Sequence, residues 1–240
     1  MKKTTILFDL DGTLLPLSEE LFGKYYFGAM QKHFDALGQS GANIVSAVWH
    51  GTKVMRTNTG LHSNEEAFWK DFLQVLPQFD KTIEEEFLQF YQTDFDLVKL
   101  STTPSSISNQ IIKTALAKGY RIALATNPLF PVIATKKRIL WAGLDENDFE
   151  VITTYETSKY SKPSLEYYLE VTKKLNVLPE ECIMIGNDVE EDGISQTIGM
   201  DFFLITGCMN NAKNLDITQL KKGSLEDCLA FVSSLPSPKE

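Results

Sequence analysis

Two aspartates one residue apart, Asp9 and Asp11 in Leu7-Phe8-Asp9-Leu10-Asp11-Gly12-Thr13, close an apolar run at the start of this 240-residue chain. Residues i and i+2 of a strand point to the same face, so two carboxylates placed this way repel unless something compensates them. A hard cation held through oxygen, such as Mg²⁺, is one solution. A solvated turn, for which Asp and Gly are common choices, is the other. Three more polar groups follow apolar runs or lie in the loop behind one: Thr126 and Asn127, then Lys162 in Ser161-Lys162-Pro163, then Asn187, Asp188 and Asp192. Each has an ordinary reading alone. Thr126-Asn127-Pro128 makes a turn, Lys162 a surface lysine, and Asp188 or Asp192 a helix-start acid.

The elements that must position these residues alternate. Apolar runs at 120–125, 150–153, 182–185 and 201–205 read as buried strands, the last being the final clear one. Helical patterns cover 107–117, 131–141, 165–175 and about 191–198. This rhythm predicts an α/β fold with a doubly wound parallel sheet. Ligands of such sheets sit outside the carboxyl ends of the strands, at a topological switch point, and all four polar groups are expected on that edge. The segment 16–103 breaks the rhythm. Its aromatics recur at helical spacing, as in Leu21/Tyr25, Phe68/Phe72 and Phe87/Phe90/Tyr91, which predicts a helical bundle inserted between the first two strands, with the aromatics as its core. The expected division is a core of 1–15 plus 104–240 and an insert of 16–103, with hinges near 14–18 and 96–104. The tail 233–240 is expected to fray.

In this order the four groups resemble the motifs of the haloacid dehalogenase-like superfamily. Asp9-Leu10-Asp11-Gly12-Thr13 is similar to its first motif, Thr126-Asn127 to its second, Lys162-Pro163 to its third and Gly186 to Asp192 to its fourth. The likeness spans residue 4 to about 206, and the insert resembles the helical cap of that superfamily's phosphatases and mutases. The resemblance implies Asp9 as nucleophile, forming an aspartyl-phosphate, and Asp11 as general acid and then base. It implies Mg²⁺ held by the Asp9 carboxylate, the Asp11 carbonyl and Asp188, with Asp192 as a further or outer ligand. Lys162, Thr126 and backbone N–H groups near Leu10 and Asn127 would take the phosphoryl oxygens. Relatives that dehalogenate lack an acid two residues after the nucleophile, so Asp11 favours phosphoryl transfer. Many relatives carry an acid where this chain has Asn187, which leaves Asn187 and Asp188 as alternatives for one metal position. A calcium-binding EF-hand starting at Asp9 fails on pattern, because Gly falls at 12 rather than 14 and a strand precedes the loop.

Composition bounds the partners. With net charge -9 and no long basic run, the chain lacks the positive footprint of nucleic-acid binding. No stretch approaches the about 20 apolar residues of a membrane span, and the apolar run before Asp9 is too short for a signal peptide. Cys182, Cys208 and Cys228 form no CxxC pair, so reduced thiols in a cytoplasmic protein are expected. The expected partner is a small phosphorylated metabolite. Hydrolysis is the first reading, with a phosphomutase or a non-catalytic phospho-ligand module as alternatives, and nothing in the pattern specifies an oligomer. Specificity is expected from Trp49 to Gly60, where Lys53, Arg56 and Asn58 supply cations and hydrogen-bond donors. His33, His50 and His62 read as surface or packing residues.

Overall fold

The strands β1 (Thr5–Phe8), β2 (Arg121–Leu124), β3 (Val151–Ile152), β4 (Cys182–Gly186), β5 (Asp201–Ile205) and β6 (Lys221–Gly223) are short. Nearly all their side chains on the inner strands are buried, so each strand feeds a hydrophobic layer on both faces. Ile6, Phe8, Ile122, Leu124, Ile183 and Ile185 point to one layer, and Leu7, Ala123 and Met184 to the other. This period of two is the mark of a sheet covered on both sides. In the computed structural model, which describes residues 1–238, the strands pair in parallel in the order β3-β2-β1-β4-β5-β6. The chain winds to one side of β1 through β2 and β3, then crosses to the other through β4. The switch point therefore falls at the carboxyl end of β1, where Asp9 follows.

The insert after β1 carries α1 (Glu19–Ala36), α2 (Gly41–Arg56), α3 (Asn64–Val75) and α4 (Ile83–Gln92), followed by a 3₁₀ turn at Asp94–Ser101. The helices α5 (Ser106–Lys118), α6 (Val132–Trp141), α7 (Leu165–Leu175) and α8 (Leu225–Ser234) accompany the sheet. The segments that leave and re-enter the sheet region run side by side. Ser18 N donates to Ser101 O at 3.0 Å and Thr103 N to Pro16 O at 2.8 Å, so the two expected hinge regions form one paired strap. Phe34, Phe72, Phe90 and Phe95 are fully buried among these helices, many in edge-to-face ring contacts such as Phe72 on Phe87 at 5.4 Å.

Three expectations change. The helix expected over 191–198 is a turn followed by a 3₁₀ helix at Gly193–Ile198. The Asp188 carboxylate accepts from the backbone N–H of Glu190 and Glu191 at 2.8 and 2.7 Å, and such side-chain bonds compete with helix formation. Beyond 205 lie β6 and α8, which the search for apolar runs missed because Lys221-Lys222-Gly223 is a charged edge strand. The tail is tied down as far as Ser237: the Tyr120 hydroxyl donates to Pro236 O at 2.8 Å and Ser237 Oγ to Lys118 O at 3.0 Å. Residues 239–240 lie outside the described residues. Among the described residues no helix is long and apolar enough to cross a membrane.

Candidate active site

Three strand ends and one loop meet at the switch point. Asp9 leaves β1 with its N–H on Ile185 O at 2.9 Å, which fixes its carboxylate at the sheet edge. Lys162, almost wholly buried, places Nζ 2.9 Å from Asp9 Oδ1 and 2.7 Å from Asp192 Oδ1. Burial works against the Lys162 charge, but Asp192 and Asp9 outweigh it and hold its pKa well above the ordinary lysine value. The Thr13 hydroxyl lies 3.1 Å from Asp9 Oδ2 and 2.9 Å from Asn187 Oδ1. Gly12 lets this happen: it has φ +77°, and a Cβ there would come within 2.4 Å of Asn187 Nδ2. Gly186 is equally constrained, since its Cβ would meet Asp192 Oδ2 at 2.0 Å.

Thr126 follows β2, and its carbonyl is held by the hydroxyls of Thr153 at 2.6 Å and Tyr167 at 2.9 Å. Asn127 donates Nδ2 to Glu191 Oε2 at 2.8 Å, while its Oδ1 is buried with no protein partner. These residues line one small cavity of about 140 Å³ with Asp9, Asp11, Lys162, Asn187, Asp188 and Asp192. A second cavity of about 770 Å³ lies between the inserted helices and residues 129–133 at the start of α6, and shares Asp11 and Glu19 with the first.

Asp11 differs from Asp9 in every contact. Its Oδ2 accepts from Nη1 of Arg138, a fully buried arginine on α6 whose guanidinium stacks 4.5 Å over the Phe130 ring. Its Oδ1 is buried without a partner. Burial raises the Asp11 pKa, with Arg138 opposing. Sequence reading missed Arg138 because Lys136-Lys137-Arg138 looks like a solvated charge run. The available signal was its place one turn after Ala134, on the buried face of the helix.

The expected specificity residues separate. Arg56 reaches the site rim, with Nη2 2.5 Å from Glu191 Oε1, and so joins α2 to Asn127 through one carboxylate. Asn58 instead shapes its own loop, donating to His62 O at 3.0 Å and Asn64 Oδ1 at 2.9 Å. Lys53 is exposed and lines neither cavity. The buried Asn64 was not anticipated. Its Nδ2 lies 3.1 Å from Pro128 O and 3.2 Å from Ser161 Oγ, pinning the insert to the loops that carry Asn127 and Lys162. The histidines have carboxylate neighbours, His33 with Asp94 and His50 with Asp71.

A metal would find only oxygen donors here. Among the described residues no three His, Cys, Asp or Glu side chains form a metal-holding group. Six carboxylates line the small cavity, among them Asp9 and Asp188 beside the Asn187 amide, and its lining also carries the unpartnered oxygens of Asp11 and Asn127. Asp9, Asp188 and Asn187 fit Mg²⁺, which is usually held by one or two carboxylates plus waters and phosphate oxygens. Asp188 and Asp192 both already have protein partners. Asp188 Oδ1 accepts from two backbone N–H groups and its Oδ2 from Asn210 Nδ2 at 2.8 Å. Asp192 is bonded through both oxygens: one is on Lys162, and the other accepts from Asp188 N at 3.0 Å.

An open parallel α/β sheet with polar side chains gathered at its switch point defines the class of α/β proteins whose ligands bind at the carboxyl edge of the sheet. Within that class, the chain belongs to the haloacid dehalogenase-like hydrolases, whose family model matches residues 3–194. It is 24% identical over 194 residues to the pyrophosphatase PpaX of Bacillus cereus, covering 78% of this chain and 76% of that protein. By structure it is similar to a HAD phosphatase from Thermococcus onnurineus (TM-score 0.59, 19% identity, 99% of this chain and 100% of the other). It is equally similar to a 2-haloacid dehalogenase from Pseudomonas syringae pv. Tomato DC3000 (TM-score 0.60, 18% identity, 96% and 99%). At these identities the likeness establishes the fold, and the chemistry has to be argued from the site.

Proposed function

We propose that the chain is a Mg²⁺-dependent phosphatase acting on a small phosphorylated metabolite through an aspartyl-phosphate on Asp9. The observation that carries this reading is the separation of two carboxylates two residues apart. Asp9 sits in the small polar cavity against Lys162, whereas Asp11 lines both that cavity and the large one and is held by Arg138. A nucleophile belongs beside the phosphoryl group and an acid beside the leaving oxygen, so the two positions suit the two roles.

In the first step an Asp9 carboxylate oxygen forms a bond to phosphorus as the ester P–O bond breaks, and the Asp11 carboxyl gives its proton to the leaving oxygen. In the second, Asp11 takes a proton from water as that water's oxygen bonds to phosphorus and the Asp9 O–P bond breaks. Lys162, Thr126 and Asn127 are the wall groups suited to the phosphoryl oxygens. Asp192 keeps the Lys162 ammonium in place. Asp9, the Asp11 carbonyl, Asp188 and Asn187 would hold Mg²⁺, which supplies charge neutralisation of the transferring group when bound. On this reading residues 16–103 act as a cap over the site, and its opening about the strap exchanges substrate and product.

Phosphate release from a panel of phosphomonoesters, with and without Mg²⁺ and beside an Asp9→Asn variant, tests the proposal. Metal-dependent release that the variant lacks is expected. Release that survives in the variant overturns the nucleophile. Conversion of a sugar phosphate to its isomer with a bisphosphate primer, in place of release, overturns hydrolysis.

A further inference from the structure

We infer that the substrate is a phosphomonoester whose organic part combines a flat apolar body with a positive charge. This rests on the phosphatase reading and names the substrate class of that same site. Sequence spacing assigned the aromatics of the insert to its core, and Phe34, Phe72, Phe90 and Phe95 are indeed enclosed. Others have a second face. Tyr26, Phe68, Trp69 and Tyr91 from the insert, with Phe130 and Tyr155 from the sheet side, wall the cavity of about 770 Å³ that begins at Asp11. Asp11 is the group assigned to the leaving oxygen, so whatever leaves with that oxygen lies in this cavity.

The size and polarity of the walls narrow the class. A volume of this order suits a ligand larger than a simple sugar or a two-carbon acid. The aromatic faces that make up much of the wall suit a flat apolar body better than a polyol, whose hydroxyls they cannot hydrogen-bond. The hydroxyls of Tyr26 and Tyr91 are bonded to each other at 2.8 Å, which leaves them little to offer a ligand.

The charge of the walls narrows it further. Glu19, Glu65, Glu84, Glu85 and Glu156 line the cavity, and the lining's one cation, Arg56, is already paired with Glu191. Among the described residues none of these five glutamates has a lysine or arginine within 4.0 Å. Glu156 accepts from Val132 N through Oε1 at 2.8 Å and leaves Oε2 buried without a partner. Burial and the repulsion of Glu156, Glu84 and Glu66 raise the Glu65 pKa, outweighing the opposing pull of Lys81. Carboxylates without a close cation, set among aromatic faces on one wall, attract an organic cation and repel an anion. A second phosphate or a carboxylate on the leaving group would meet that repulsion, so pyrophosphate and phosphoglycolate are expected to be poor substrates.

The test compares aryl phosphates in which a methylene insulates the reacting oxygen from the charge. These are 4-(trimethylammoniomethyl)phenyl phosphate, unsubstituted phenyl phosphate and 4-(carboxymethyl)phenyl phosphate, run beside glucose 6-phosphate and pyrophosphate. The expected kcat/KM falls in that order, with about a tenfold or larger ratio between the cationic and anionic aryl esters. A Glu65→Gln/Glu156→Gln variant is expected to shrink that ratio at least fivefold. Equal or reversed aryl ratios, or glucose 6-phosphate or pyrophosphate as the best substrate, overturn the inference while leaving the phosphatase reading intact. A second measurement needs no turnover: quenching of the tryptophan fluorescence by benzyltrimethylammonium against phenylacetate, since Trp49 and Trp69 both line the cavity. Saturable quenching by the cation alone supports the cavity's preference even if no ester is hydrolysed, an outcome that would overturn the phosphatase reading instead. Quenching by phenylacetate as strongly as by the cation, or by neither, overturns the inference.

Discussion

The carboxyl edge of the sheet and the inserted helices solve different problems with different residues. At the sheet edge each polar side chain has one place, set by strand register and by close approach at Gly12 and Gly186. Charges there are met one by one: Lys162 by Asp9 and Asp192, Arg138 by Asp11. Among the inserted helices the aromatics share two duties, closing a hydrophobic core and walling a cavity, and among the described residues the five glutamates on that wall have no lysine or arginine within 4.0 Å. The edge is built to hold charge in fixed geometry. The insert is built to leave charge available. Damage at the edge is therefore expected to destroy rate or fold, and damage on the insert's cavity wall, as distinct from its core, to redirect selectivity.

The largest expected effect is at the edge. Asp9→Asn removes the attacking oxygen, and a loss of more than about 10⁴-fold in phosphate release is expected, as for other nucleophile deletions. Retention of even a tenth of the rate would break the contrast at its centre. Next, two deletions of similar size are distinguished by pH. Lys162→Met leaves two buried carboxylates uncompensated and is expected to cost about 3–5 kcal/mol in urea unfolding at neutral pH. Phe90→Ala, in the insert, is expected to cost about the same through a cavity.

The pH dependence of those two costs should diverge. Burial already pushes Asp192 up to about 7 against the pull of Lys162. A carboxyl whose folded pKa lies above its unfolded value stabilises at low pH and loses that contribution as pH rises through the folded pKa. In metal-free buffer the cost of Lys162→Met is therefore expected to shrink as pH falls from about 7 towards the unfolded value near about 4. The cost of Phe90→Ala should stay flat. Parallel pH profiles for the two variants would show that charge at the edge is not what distinguishes it.

Smaller effects refine the boundary between the regions. Arg138→Met frees Asp11 and is expected to lower kcat about 10²-fold, more for aryl phosphates with poor leaving groups than for good ones. Arg138→Lys is expected to restore little, because a lysine lacks the planar fork. A loss that ignores the leaving group would make Arg138 merely structural. Arg56→Ala should change stability by less than about 1 kcal/mol, since an exposed ion pair contributes little, yet raise KM a few-fold by releasing Glu191 and Asn127. An unchanged KM would take Arg56 out of the site.

How much was legible follows from the range of each interaction. The strand ends were readable because short apolar runs and the polar residues behind them are local, and the span of α7 (Leu165–Leu175) was readable for the same reason. Helix 191–198 was misread because the deciding contact, Asp188 on two N–H groups, is a side-chain choice that periodicity does not register. Arg138 and Asn64 were invisible for a longer-range reason. Each looks like a surface residue until a partner more than 60 positions away in sequence, Asp11 or Pro128, is brought against it. Lys53, Arg56 and Asn58 had similar claims by type, and only the packing of α2 on the core told them apart.

The sequence by itself determined the α/β class, the order of the four polar groups and the place of the insert, because these depend on local pattern and on the parallel crossover rule. Only the tertiary structure decided which charges are paired and which are left open. Pairing depends on distances between residues far apart in the chain, here Lys162 to Asp9 at 2.9 Å and, among the described residues, the glutamates of the cavity wall to no lysine or arginine within 4.0 Å, and no local pattern encodes those distances.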